Sequence, residues 1–263
     1  MNDVLQQVLA DLTAEGDRLD ALVRDLDDAG WRTPTPAPGW DVATQVAHLL
    51  WTDEVALKAA TDKEAWDAVV LGAIDDPEGF VDTEAARLAG ELNPGDELLE
   101  RWRAGRTALR DALTAYPHGE KMPWFGPPMS AASMATARLM ETWAHSLDVH
   151  EGLGAPVEDT DRIRHIAHLG VRTRNYAFSV HGLDAPADEF RIDLVSPSGD
   201  VWSWGPEDAT QTLTGTAGDF CRLATQRVHR DDTDLVATGA DAEHWLTIAQ
   251  AFAGPPGAGR SQR

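Results

Sequence analysis

Apolar residues recur at three- and four-residue spacing through most of the first 150 positions. Val4, Leu5, Val8, Leu9, Leu12, Leu19, Leu22, Val23 and Leu26 form one such stripe and predict a helix over residues 3–29. A proline-rich connector, RTPTPAPGWD, follows, and Asp41 at its end is placed to cap a second helix from about Val42 to Ala60. Residues 61–95 are less regular, with short helical pieces around Trp66 and Glu84 and a break at NPGD. Asp96 is expected to cap a third helix, striped by Leu98, Leu99, Trp102, Leu109 and Leu113. Beyond the loop YPHGEKMPWFGPPMS, a fourth helix is expected from Ser130 or Ser133 to Gly152 or Gly154. Four long amphipathic helices predict a helical bundle.

The pattern changes after GLGAPVEDTD. Residues 161–181 read as one more helix. Phe190, Ile192 and Leu194 alternate in EFRIDLV, SPSGD makes a turn, and VWSWG returns as a hairpin partner. TQTLTGTA and DLVATG read as short strands, GDFCRLATQR and DAEHWLTIAQAF as helices. The expected architecture is α+β overall: a helical bundle over residues 1–155, a small α+β domain over 156–253 and a disordered tail at 254–263.

Charge narrows the function classes. The net charge of −22 disfavours nucleic acid, whose phosphates need a basic face, and it disfavours anionic membranes equally. The N-terminal stretch MNDVLQQVLADL has no basic region and no unbroken apolar run, so no signal peptide is expected. No segment reaches the roughly 18 apolar residues of a membrane span, and a cytoplasmic location is expected. A single cysteine, Cys221, leaves no intramolecular disulfide and reads as a packing residue rather than a nucleophile. Gly-rich phosphate loops, nucleotide fingerprints and the G-x-S-x-G elbow are absent from the sequence. HEGLG begins like a zinc-peptidase motif, but Gly154 stands where the second histidine belongs.

The candidate chemistry lies in METWAHSLDV. Glu141, His145 and Asp148 share one helical face, on the side crowded by Met140, Ala144 and Leu147. Burying a carboxylate and an imidazole is costly unless they are paired, hydrogen-bonded or bound to a metal. A second inward histidine, His48, lies seven residues after Asp41, about 10 Å along its helix, and His145 lies a similar distance before Gly152. Antiparallel helices would bring the two histidines level; a parallel pair starting from Ser133 would do nearly the same for Glu141. Two histidines and a carboxylate form a recurrent divalent-metal set with open coordination positions. Taken singly, each has a plainer reading, as a core histidine or an i,i+4 salt link. Asp148, one turn after His145, suits a partner that holds the imidazole tautomer, or simply a helix-end charge. Arg227 can meet an anionic substrate or complement a helix dipole.

PGWDVATQVAHL together with METWAHSLDV resembles the mycothiol-dependent maleylpyruvate isomerase family, a branch of the DinB-like metal-binding four-helix bundles. GTAGDFCRLATQRVHRDDTDLVATG is similar to that family's second domain, which is sterol-carrier-protein-like. The resemblance implies antiparallel second and fourth helices, His48, Glu141 and His145 as metal ligands, and Arg227 in substrate handling. It also implies a divalent metal, zinc foremost with nickel or iron as alternatives, and mycothiol or a similar small thiol as cosubstrate. The expected activity is thiol transfer to, or isomerisation of, a small electrophilic substrate. Within the family the chain looks most like a subgroup described only as metal-binding proteins. The alternative expectation is a non-catalytic, metal-containing small-molecule binding protein.

Overall fold

The computed structural model describes residues 3–76 and 79–263, and the chain divides into two compact units, Met1–Val157 and Glu158–Arg263. The first is helical: α1 (Asp3–Val23), α2 (Asp28–Trp31), α3 (Val42–Thr61), α4 (Lys63–Asp75), α5 (Phe80–Glu91), α6 (Leu99–Ala115) and α7 (Ala131–Gly152). The four longest, α1, α3, α6 and α7, pack on one another around Leu19, Val46, Leu49, Leu50, Trp102 and Val149, with a second cluster around Val8, Leu109, Met134 and Leu139.

Local chemistry decides where these helices begin. The Asp41 carboxylate accepts the Thr44 amide at the start of α3, and the Ser130 hydroxyl accepts the Ser133 amide at the start of α7. The first helix stops earlier than its apolar stripe suggests. Asp27 accepts the Gly30 amide and restarts the chain as the short α2. Asp96 is not the cap of the next long helix. Asn93 accepts the Asp96 amide, Pro94 opens one π-helical turn through Leu98, and α6 continues from it. The interval expected to hold only short pieces contains two full helices, α4 and α5, and the Asp62 side chain caps the first of them.

Contacts along α3 and α7 fix their relative direction. Gln45 meets His145, His48 meets Glu141 and Asp53 meets Arg138, so numbers rise on one helix as they fall on the other. The two helices are antiparallel. At the end of α7 the Pro34 carbonyl approaches Gly152 so closely that a Cβ would lie 2.8 Å from it. The missing side chain lets the proline-rich connector lie against the helix end.

The second unit opens with a single 3-10 turn (Asp161–Ile163), α8 (Arg164–Arg172) and α9 (Arg174–Val180), where one helix was expected. The break falls at Thr173, whose hydroxyl bonds back to the Leu169 carbonyl and across to that of Gln250. Strands β1 (Arg191–Val195), β2 (Val201–Trp204), β3 (Thr212–Thr216) and β4 (Val236–Thr238) form one sheet in the order β2-β1-β3-β4. β1 pairs antiparallel with β2 and parallel with β3, while β3 and β4 are antiparallel. Gly205, at φ +78°, begins the link that carries the chain from β2 past β1 to β3, and a Cβ there would overlap the Phe190 carbonyl oxygen. Helices α10 (Ala217–Ala224) and α11 (Ala240–Ile248) complete the unit, with Phe220 and Trp245 in its core. The architecture is α+β. Among the described residues, no helix is long and apolar enough to cross a membrane.

Candidate metal centre

The antiparallel pairing brings His48 of α3 against Glu141 and His145 of α7. His48 Nε2 lies 3.4 Å, and His145 Nε2 3.2 Å, from the same carboxylate oxygen, Glu141 Oε2. One donor atom from each residue lies within 4.8 Å of the other two. Tetrahedral zinc with bonds of about 2.1 Å separates its ligand atoms by about 3.4 Å, so these two spacings fit such an ion. The donor chemistry fits as well. Two imidazoles and a carboxylate form a borderline set that leaves coordination positions open.

Both histidines are buried and Glu141 is partly so. Burial opposes ionisation of the Glu141 carboxyl, but hydrogen bonds and charge from His145 and His48 outweigh it and hold the group well below its ordinary value of 4.5. An anionic oxygen therefore sits between two imidazole nitrogens. A cation bound there would take the place of the protons that the imidazoles share with this oxygen.

Three further groups shape the centre. The indole of Trp40, at the end of the proline-rich connector, stacks on His145 at 5.8 Å and 18°, and meets His48 at 5.3 Å and 52°. Gln45, fully buried one turn before His48, places its Oε1 2.5 Å from His145 Nδ1. Further along the same helix pair, Arg138 Nε donates to Asp53 Oδ1 at 2.8 Å, with only 3% and 5% of the two side chains exposed. Burial pushes the Asp53 carboxyl above its ordinary value, against the pull of Arg138.

Gln45, Trp40 and the Asp53–Arg138 pair were not singled out from sequence. A signal for two of them was present: Gln45 stands three residues before His48 and Arg138 three before Glu141, each on the face already argued to point inward. Trp40 gave none, because it read as part of a connector.

Asp148 is buried on α7, one turn beyond His145. Arg227 lies in the second unit, just past α10, and its Nη1 donates to the Thr225 carbonyl at 2.7 Å. Gln226, immediately before it, takes the left-handed conformation (φ +59°) that ends the helix. Cys221 is fully buried, and burial pushes its thiol well above the ordinary value, which makes it a packing residue.

Residues 12–150 match the family model described as the mycothiol maleylpyruvate isomerase N-terminal domain. Residues 186–238 match a shorter model described as wyosine base formation. Uncharacterized proteins from two strains of Mycobacterium tuberculosis are 58% identical over 252 residues, covering 96% of this chain and 97% of theirs. Among solved structures, a crystal structure of the mycothiol-dependent maleylpyruvate isomerase superposes with a TM-score of 0.60 at 16% identity, covering 89% of this chain and 92% of that one. A histidine-to-alanine mutant of the same enzyme superposes equally well. At that identity the superposition speaks for the fold.

Proposed function

Because the chain belongs to the mycothiol maleylpyruvate isomerase N-terminal domain family, we propose that it is a divalent-metal enzyme using mycothiol or a similar small thiol on an electrophilic substrate. The observation that carries this reading is the convergence of His48, Glu141 and His145 within 4.8 Å on two antiparallel helices. In this reading the three residues hold the ion, zinc first, and Glu141 supplies the charge that keeps it there. A bound zinc lowers the pKa of a coordinated thiol, so that a thiolate is available at neutral pH. Cys221 is too deeply buried to serve as that thiol, which favours one supplied from solution. Trp40 lends an apolar wall that keeps bulk water from the two imidazoles. With His145 Nδ1 on Gln45 and Nε2 toward Glu141, Asp148 is read as a negative charge one turn along α7 and not as the hydrogen-bond partner of that imidazole, and Arg227 as the planar fork that meets a substrate carboxylate.

The test combines metal analysis of protein purified without a nickel column with thiol consumption assays. Mycothiol and either chlorodinitrobenzene or monochlorobimane serve as the reactants. Near-stoichiometric zinc and metal-dependent consumption of the thiol are expected. Bound metal without thiol consumption would instead identify a metal-containing binding protein.

A further inference from the structure

Hydrogen bonds leading away from the metal centre run in one direction, and that direction decides the state of His145. The starting point is the Trp40 carbonyl, which can only accept. The Thr35 hydroxyl donates to it at 2.9 Å and has no second proton to give. Gln45 Nε2 lies 2.8 Å from the Thr35 oxygen, and donates to it. The amide orientation of Gln45 is thereby fixed, and its oxygen faces His145 Nδ1 at 2.5 Å. An amide oxygen only accepts, so His145 must carry its proton on Nδ1. Its Nε2 is the nitrogen turned toward the donor cluster, 3.2 Å from Glu141 Oε2, and any proton it shares with that carboxylate is the one a bound cation would displace.

We propose that Gln45 is the positioning residue of the metal centre: it holds His145 with Nε2 toward the ion and, through Thr35, ties that imidazole to the connector carrying Trp40. The proposal rests on the reading of His48, Glu141 and His145 as metal ligands. It adds a residue that touches neither ion nor substrate. The linkage is tight. Gln45 is 0% exposed, the Thr35 amide also donates to the Trp40 carbonyl at 2.9 Å, and the Trp40 ring stacks on the imidazole that Gln45 holds. The loop from Thr35 to Trp40 therefore closes on His145 from two sides, by a hydrogen-bonded chain and by a ring face. His48 lacks such a support: its Nδ1 is buried without a hydrogen-bond partner among the described residues. Of the two imidazoles, His145 is the one whose tautomer the protein dictates.

The experiment is long-range ¹H–¹⁵N correlation of the histidine side chains in metal-free protein, alongside zinc affinity by competition with a chromophoric chelator. The metal-free native protein should show His145 protonated on Nδ1. Gln45→Leu should shift the tautomer toward Nε2–H and weaken zinc binding by about 10–100-fold. Gln45→Glu, which keeps the acceptor, should retain the Nδ1–H form and stay within about tenfold of native affinity. A native His145 without a proton on Nδ1, or a folded Gln45→Leu with unchanged Nδ1 protonation and affinity, overturns the proposal. If Gln45→Leu does not fold, Thr35→Val decides: it frees the amide to rotate and should mix the two tautomers, and an unmixed Nδ1–H form there overturns the proposal. Should the native protein bind no zinc at all, the metal reading fails, while the tautomer measurements still judge Gln45 separately.

Discussion

Replacing Arg138 by Met leaves the buried carboxylate of Asp53 without its partner while keeping most of the arginine's apolar stem. Both side chains are almost fully enclosed, at 3% and 5% exposure, so solvent cannot take over the lost contact. Breaking a buried pair from one side costs about 3–5 kcal/mol. For a unit of this size, roughly 2–4 °C of melting temperature accompany each kcal/mol, which predicts a drop of roughly 6–20 °C. The pH dependence follows from the direction of the Asp53 shift. Burial raises its carboxyl above 3.8, so the folded state holds that proton more tightly than the unfolded chain does. This contribution is fully present below the ordinary value and is lost as pH rises through the raised one. Removing Arg138 takes away the main influence that lowers the group, moves that window upward, and makes the variant's deficit grow with pH. Urea titrations at several pH values, on Arg138→Met, Asp53→Leu and the double variant, check the reasoning. The double variant should recover most of the loss, because no unpaired charge remains. Strictly additive single effects, or an Arg138→Met cost below about 1 kcal/mol, would refute a coupled buried pair.

Three other outcomes are expected. His48→Ala, Glu141→Ala and His145→Ala should each lower bound metal well below the native stoichiometry; full retention by two of the three would dismiss the site. In metal-free protein, the stability that Glu141 contributes above its ordinary value of 4.5 should fade as pH falls toward its depressed folded value. Glu141→Gln should therefore flatten the acid limb of a urea-midpoint profile, and an unchanged limb would count against the two imidazole contacts. Arg227→Ala should leave metal content and melting temperature near native and reduce turnover by about tenfold or more, with only partial rescue by Arg227→Lys. Loss of folding in Arg227→Ala would make its bond to the Thr225 carbonyl the more important role.

Much of the fold was legible because the long helices carry broad apolar stripes and self-evident caps. Asp41 and Ser130 each stand directly before such a stripe, and both are the caps found. Errors arose where competing side chains were close neighbours. Asn93 and Asp96 both suit an N-cap, and Pro94 tips the choice by opening a turn that Asn93 closes. Thr173 sits inside a stripe that continues through it, and its break depends on the Gln250 carbonyl, a residue distant in sequence. At the centre, His48, Glu141 and His145 stood out because charge on an apolar face demands compensation. Gln45 did not: a buried amide raises no comparable alarm, and its partners Thr35 and Trp40 lie in a segment whose path only the tertiary structure shows.

The α3–α7 interface explains why so polar a seam is tolerated in the core of a bundle. Gln45–His145, His48–Glu141 and Asp53–Arg138 succeed one another over eight residues of α3, about 12 Å of helix. Apolar side chains in these positions would stabilise the bundle at least as well. They would select one register less sharply, since apolar contacts are not directional. The Asp53–Arg138 pair is satisfied only in one register, and that register also brings His48 level with Glu141. The ion pair thus favours the alignment of the donors from about one turn away, and Gln45 sets the orientation of one of them at close range. The three donor side chains are thus drawn together by the packing of α3 on α7 itself.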